Sequence, residues 1–287
     1  MRLPPMPPLH LPFAPGAPVR SLQDVQRSEA RPLAEALPVQ STYEIFVNSA
    51  AAFGDKTALT FLPTADPAAE PIRWSYAQLL TGIHQTANLL HHLGVGPEDA
   101  VAVLLPGCLE YHLALWGGEA AGIVQPLNPM LTDEKIAAMM TLARAKVLIA
   151  YGGEGDLGYW SKALRLRALV PSLTAVLRVA PHEEAPGAAP ALPAGVLDLA
   201  ARHQHPGDHL VSGRRIAATD IAAYFHTGGT TGAPKLARHS HGAQVFTAWG
   251  SVQMQGIRPE DVGINGYPLF HVAGVLPGSL AALSAGV

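Results

Sequence analysis

The run from Tyr224 to Lys235, YFHTGGTTGAPK, concentrates the residue types that hold a phosphate. Many backbone N–H groups can converge on one anion only where side chains do not obstruct its approach. Gly228, Gly229 and Gly232 supply that access, and Thr227, Thr230 and Thr231 add hydroxyl donors. Pro234 stiffens the exit, and Lys235 contributes a compact positive charge. A Walker loop would require Gly-Lys-Ser/Thr after its spacer. Here Lys235 follows Pro234 and precedes Leu236, so the run is an anion clamp of another kind.

Other clusters suggest rival chemistries. GEGDLG, Gly153 to Gly158, fits the dinucleotide fingerprint after a strand, so an NAD-dependent enzyme using Gly153, Gly155 and Gly158 is one alternative. Against it, Glu154 and Asp156 would face a pyrophosphate with like charge, and Arg178 stands where a ribose-binding acid belongs. HQHPGDH, His203 to His209, has nitrogen and oxygen ligand types, and His239 with His241 makes a second close pair. Both read as polar loop rather than metal site, and no metal ligand is assigned. Cys108, the single cysteine, reads as a small buried residue rather than a nucleophile.

The elements around the clamp follow an alternating plan. Residues 1–38 form a Pro-rich arm, expected to be extended because each proline lacks an N–H and restricts its neighbour. Thr57 to Leu62 and Ile72 to Trp74 read as a hairpin with a long loop. Ser75 with Gln78 makes a capping-box pattern, and Leu79, Ile83, Ala87 and Leu90 recur on one helical face up to Gly94. Strand-like runs at Ala100 to Leu105, Ile123 to Pro126, Lys146 to Tyr151 and Ala175 to Val179 then alternate with helical ones. The helical stretches are Leu109 to Ala121, a segment opening at Thr132, and Tyr159 to Leu169. This alternation implies an α/β fold with parallel-sheet layers flanked by helices. A first α/β subdomain is expected over 39–180, a connecting loop region over 181–219, and the start of a second α/β subdomain over 220–287. Within the last, Asp220 to Phe225 reads as the strand that delivers the clamp, Ala243 to Val252 as helix, and Val272 to Val287 as buried helix.

Composition narrows the classes. With 287 residues, 48% hydrophobic and 14% charged, the chain can bury a substantial core. A formal net charge of -3 offers no basic footprint for nucleic acid. One cysteine precludes an intramolecular disulfide, and the Pro-rich start holds no apolar signal region, so a cytoplasmic protein is expected. No run reaches the roughly 20 apolar residues of a membrane span.

The clamp resembles the Thr-Ser-Gly-Thr-Thr-Gly-x-Pro-Lys-Gly signature of adenylate-forming enzymes, which include acyl-coenzyme A synthetases, aryl ligases, luciferases and peptide-synthetase adenylation domains. Gly228 stands where that family usually has serine, and Leu236 where glycine is common. FGDKTAL, Phe53 to Leu59, resembles the family's opening strand, and YPLFHVAG, Tyr267 to Gly274, resembles the motif after the phosphate loop. The resemblance covers most of 40–287 and favours the front portion of an acyl-coenzyme A synthetase. It implies that Thr227, Gly228, Gly229, Thr230, Thr231, Gly232 and Lys235 hold ATP, that His271 lies by the acyl carboxylate and adenylate, and that Phe270 and Gly274 shape the acyl pocket. ATP, Mg2+ and coenzyme A are the implied cofactor and co-substrates, with a small carboxylic acid as partner, a place in fatty acid metabolism and a possible homo-oligomer. The family's later magnesium, ribose and lysine contributions would lie past Val287, so the chain alone is expected to be inactive. A non-catalytic nucleotide-binding or interaction module is the remaining alternative.

Overall fold

The computed structural model describes residues 13, 16–17, 19–30, 32–37, 39–66, 68–152, 158–182, 192–227 and 235–287. In the N-terminal arm these residues form two short helices, α1 (Leu22–Glu29) and α2 (Leu33–Ala36), where proline content predicts extended chain. Neither helix contains proline, and Pro32 sits at the start of α2, where a missing N–H costs little.

α3 (Thr42–Phe53) opens at Ser41, whose hydroxyl accepts the Glu44 N–H at 3.2 Å. β1 (Thr57–Phe61) and β2 (Ile72–Ser75) form the expected antiparallel hairpin as a separate two-stranded sheet. α4 (Tyr76–His92) begins in the expected capping box: Ser75 Oγ accepts the Gln78 N–H at 3.2 Å, and Gln78 Oε1 accepts the Ser75 N–H at 2.8 Å. Then come β3 (Ala100–Leu104), α5 (Leu109–Ala121), β4 (Ile123–Pro126), α6 (Asp133–Ala143), β5 (Ala145–Tyr151), α7 (Tyr159–Leu169) and β6 (Ala175–Val179). The stretch read as a connecting loop also holds β7 (Val196–Asp198) and a 3-10 turn, Leu199–Gln204.

β8 (Ile221–His226) and β9 (Leu236–Ser240) lead into α8 (His241–Gln255). The C-terminal run is helical as expected, in three pieces: α9 (Val272–Val275), a π-turn at Leu276–Leu280, and α10 (Ala281–Ala285). Pro277 lies in the π-turn, where a wider turn accommodates a residue that cannot donate to the helical ladder.

Seven strands form one sheet in the order β7-β6-β5-β3-β4-β8-β9, parallel except for the antiparallel β8 and β9 pair. β8 joins β4 through Val124 and Ala223, so the sheet runs continuously from 39–180 into 220–287. All five residues of β3 are buried, which requires cover on both faces. Val101, Val103, Val147 and Ile149 pack toward a core shared with residues of α3, α4, α5 and α8. The alternate positions Ala100, Ala102, Leu104 and Leu148 pack against α6 and α7, as the period of two in a strand dictates.

Candidate active site

The clamp leaves the sheet where the sequence places it. β8 is a strand running parallel to β4, and Thr227 and Lys235 stand just beyond its carboxyl end. In open parallel sheets that end is where ligands bind. The strand extends through His226, one residue beyond the expected Phe225. Gly228, Gly229, Thr230, Thr231, Gly232 and Pro234 lie outside the described residues. Their two flanks are joined, since the Thr227 N–H donates to the Lys235 carbonyl oxygen at 3.0 Å. β9 then returns antiparallel to β8, with His226 opposite Leu236 and Phe225 opposite Ala237. Thr227 and Lys235 are exposed, and among the described residues no carboxylate pairs with the Lys235 ammonium. The described part of the clamp therefore offers a hydroxyl and an uncompensated positive charge beside a fixed strand end.

The second motif lies close by. His271 is the N-cap of α9, and its Nδ1 accepts the Ala273 N–H at 3.2 Å. That bond commits Nδ1 as an acceptor and leaves Nε2 as the nitrogen free to donate, on an exposed residue. Phe270 borders a cleft of about 770 Å³ beyond the carboxyl end of β3, together with Phe61, Leu105, Tyr111, His112 and Tyr267. Gly274 does not line this cleft. It is buried, and a Cβ there would sit 2.4 Å from the Pro268 carbonyl oxygen, so its lack of a side chain lets the 267–268 backbone lie against α9.

Two residues without an assigned role in the sequence reading organise this region. Asn265 Nδ2 donates to the Gly274 carbonyl at 2.9 Å and to Ser279 Oγ at 2.8 Å, while its Oδ1 accepts the Tyr267 N–H at 3.1 Å. One amide thus fixes the approach to the His271 motif. His226 brings the two motifs together, its ring centroid lying 6.5 Å from that of Phe270. Its only local signal was adjacency to Thr227, whereas the contact with Phe270 arises from the fold.

The rival clusters have other roles. Arg178 is buried and donates to Asp198 Oδ2 from Nη2 at 3.0 Å and to the Gly152 carbonyl from Nη1 at 3.3 Å, tying β6 to the end of β7. Gly158 is left-handed at φ 86° and caps α7, while Gly153 and Gly155 lie outside the described residues. The His203 to His209 stretch is clamped to α4: Asn88 Nδ2 donates to the Pro206 and His209 carbonyls, each at 2.8 Å, and His84 Nδ1 lies 3.0 Å from the Gly207 oxygen. His239 lies edge-on to Phe225, and His241 is buried in the core. Among the described residues no three His, Cys, Asp or Glu side chains converge as a metal site. Among the described residues no carboxylate pairs with Lys235, so Thr227 and Lys235 by themselves supply no acidic ligand for a magnesium ion. Burial pushes the Cys108 thiol far above its ordinary range, which removes the thiolate a nucleophile needs.

Residues 46–287 match the AMP-binding enzyme family. The chain belongs to that family. A 281-residue alignment with the marinolic acid–CoA ligase of Pseudoalteromonas sp. (strain SANK 73390) is 30% identical and covers 94% of this chain and 41% of the relative. The long-chain fatty acid transport protein 1 of Mus musculus is 33% identical over 74% of this chain and 31% of its own length. The crystal structure of an anthranilate CoA ligase in complex with anthranoyl-AMP superposes with a TM-score of 0.73 over 88% of this chain and 45% of that one, at 21% identity. The chain therefore spans less than half the length of these relatives. Its mostly parallel sheet flanked by helices is the fold shared with the solved structure. No helix among the described residues is long and apolar enough to cross a membrane.

Proposed function

We propose that the protein carrying this chain is an ATP-dependent acid–thiol ligase. The carboxylate oxygen of the acid attacks the α-phosphorus of ATP, the bond to the bridging oxygen breaks, and pyrophosphate leaves. The sulfur of coenzyme A then attacks the acyl carbon, AMP departs, and the thiol proton passes to solvent. The observation that carries this reading is the strand-end clamp, with Thr227 joined to Lys235 beyond β8 and the His271 motif beside it. The CoA ligases among the relatives support it.

In this reading Lys235 and Thr227, with the glycine amides between them, hold the phosphates that depart and offset the charge developing on them. Magnesium would enter with the nucleotide and would offset part of its phosphate charge. The Nε2–H of His271 donates to an oxyanion where acid and nucleotide meet. The cleft beside Phe270, lined mostly by apolar groups with Lys56, Arg73 and Asp261 also on its wall, takes the acyl group, in keeping with an aryl or fatty acid. The test is AMP release by the full-length protein across a panel of aliphatic and aromatic acids, with and without coenzyme A. Release that needs both ATP and one class of acid and rises with coenzyme A supports the assignment; release indifferent to added acid overturns it.

A further inference from the structure

His226 lies between the clamp and the His271 motif. Its backbone is locked in register as the last residue of β8, opposite Leu236, and Thr227 follows it directly. Its ring is half-buried and faces Phe270 at 6.5 Å, with an interplanar angle of 37°. Its Nδ1 is buried from solvent and has no hydrogen-bond partner among the described residues. A buried polar nitrogen without a partner forfeits a hydrogen bond unless something else supplies it.

We propose that His226 is an oxyanion-binding residue of the same site, its Nδ1–H donating to a ligand oxygen where the nucleotide meets the acid. The inference rests on the adenylation reading above and adds a ligand contact to it. The ligand is an α-phosphate oxygen or a carboxylate oxygen, either of which accepts from a neutral imidazole. Burial, and next the nearby His271, hold the His226 ring below its ordinary titration range, so near neutral pH it is a donor without a full charge. That suits a site where Lys235 already supplies the positive charge. The neighbouring ring of Phe270 and the backbone of β8 set the place from which His226 would donate. A purely structural histidine in this place would be expected to spend both ring nitrogens on the protein.

The test follows ring and backbone nitrogens by NMR in the full-length protein during titration with AMP, then with benzoate added to the AMP-saturated sample. A change in the His226 Nδ1 resonance with AMP alone assigns the α-phosphate, and a change only on adding benzoate assigns the carboxylate; either supports the proposal. If the Thr227 and Lys235 amides respond and His226 does not, the proposal is overturned while the clamp stands. If nothing responds, the nucleotide reading itself fails and takes this proposal with it. Kinetics give a second readout. His226→Phe keeps the ring packing and should lower kcat/KM for the acid about ten- to a hundred-fold, whereas His226→Gln, which retains an N–H donor, should recover part of the loss. Equal kcat/KM in wild type and His226→Phe would overturn the proposal.

Discussion

Glu119 is sealed among α3, α5 and α8, where Thr42 Oγ1 at 2.7 Å and Gln244 Nε2 at 2.9 Å donate to its two carboxyl oxygens. Burial outweighs these donors and pushes its pKa up to about 7. The neighbouring His241, whose Nδ1 lies 3.0 Å from Thr42 Oγ1, is driven down by burial to about 3, and loss of hydration lowers half-buried His112 to about 4. The signs oppose. A carboxyl raised from 4.5 keeps its proton in the folded state, so its stabilisation is complete below pH 4.5 and is lost as pH rises through about 7. Histidines lowered from 6.5 must fold neutral, so their penalty grows as pH falls from 6.5 toward their folded values. Glu119→Gln removes the opposing slope. Its stability, measured by urea unfolding, should rise with pH between 4.5 and 6.5 more steeply than wild type, by about 1.4 kcal/mol per pH unit. Parallel profiles would show that Glu119 does not titrate in the fold. At the clamp, Lys235→Ala should slow adenylation by about 1.5 to 3 kcal/mol of barrier while sparing thioester formation from supplied acyl-adenylate. Equal slowing of both half-reactions would remove Lys235 from the phosphate contact. The position of Thr227 and Lys235 beyond a strand end was legible in sequence, because the apolar run before them and the glycines between them are local signals. His226 and Asn265 were not, because each acts through a partner that only the fold brings near.

At the scale of elements, the legible features were those with a local cause. Ser75 and Gln78 announced α4, and the buried run at Ala100 announced β3. β9 was not legible, since Leu-Ala-Arg-His-Ser has no alternation of its own and becomes strand through pairing with β8. α6 ends at Arg144, which has φ 55° and is the one non-glycine residue described in the left-handed region. Arg144→Gly removes the Cβ clash of that conformation and should stabilise the protein by about 0.5 to 1 kcal/mol after the entropy glycine adds to the unfolded chain. A lower midpoint in thermal unfolding would mean that the arginine side chain offsets its backbone cost. Gly274→Ala has the opposite expectation, because its Cβ would meet the Pro268 oxygen at 2.4 Å. It should destabilise by about 1 to 3 kcal/mol and displace Tyr267 to His271. Wild-type thermal stability in that variant would contradict the close approach.

At the scale of the whole molecule the seven-stranded sheet is covered on both faces, yet apolar side chains are exposed on the segment leading to His271. Val262 and Ile264 are 92% and 97% exposed, and Tyr267 is 64% exposed. Contiguous exposed apolar groups favour association, so the 287-residue chain should scatter more light as its concentration rises, and Val262→Lys with Ile264→Lys should suppress that rise. Association unchanged in the double variant would place the contact elsewhere. The α/β class followed from the strand and helix alternation. The continuity of the sheet across 181–219 did not, because it depends on β8 finding β4 rather than on any property of the loop. The account's central claim is that the clamp beyond β8 serves carboxylate activation, and acid-dependent ATP–pyrophosphate exchange by the full-length protein measures that step directly. Exchange that appears with one class of carboxylic acid, needs no coenzyme A and collapses in Lys235→Ala is the predicted result. Absence of exchange with every acid in a protein that is folded and binds ATP, or exchange untouched by the Lys235 substitution, would contradict it.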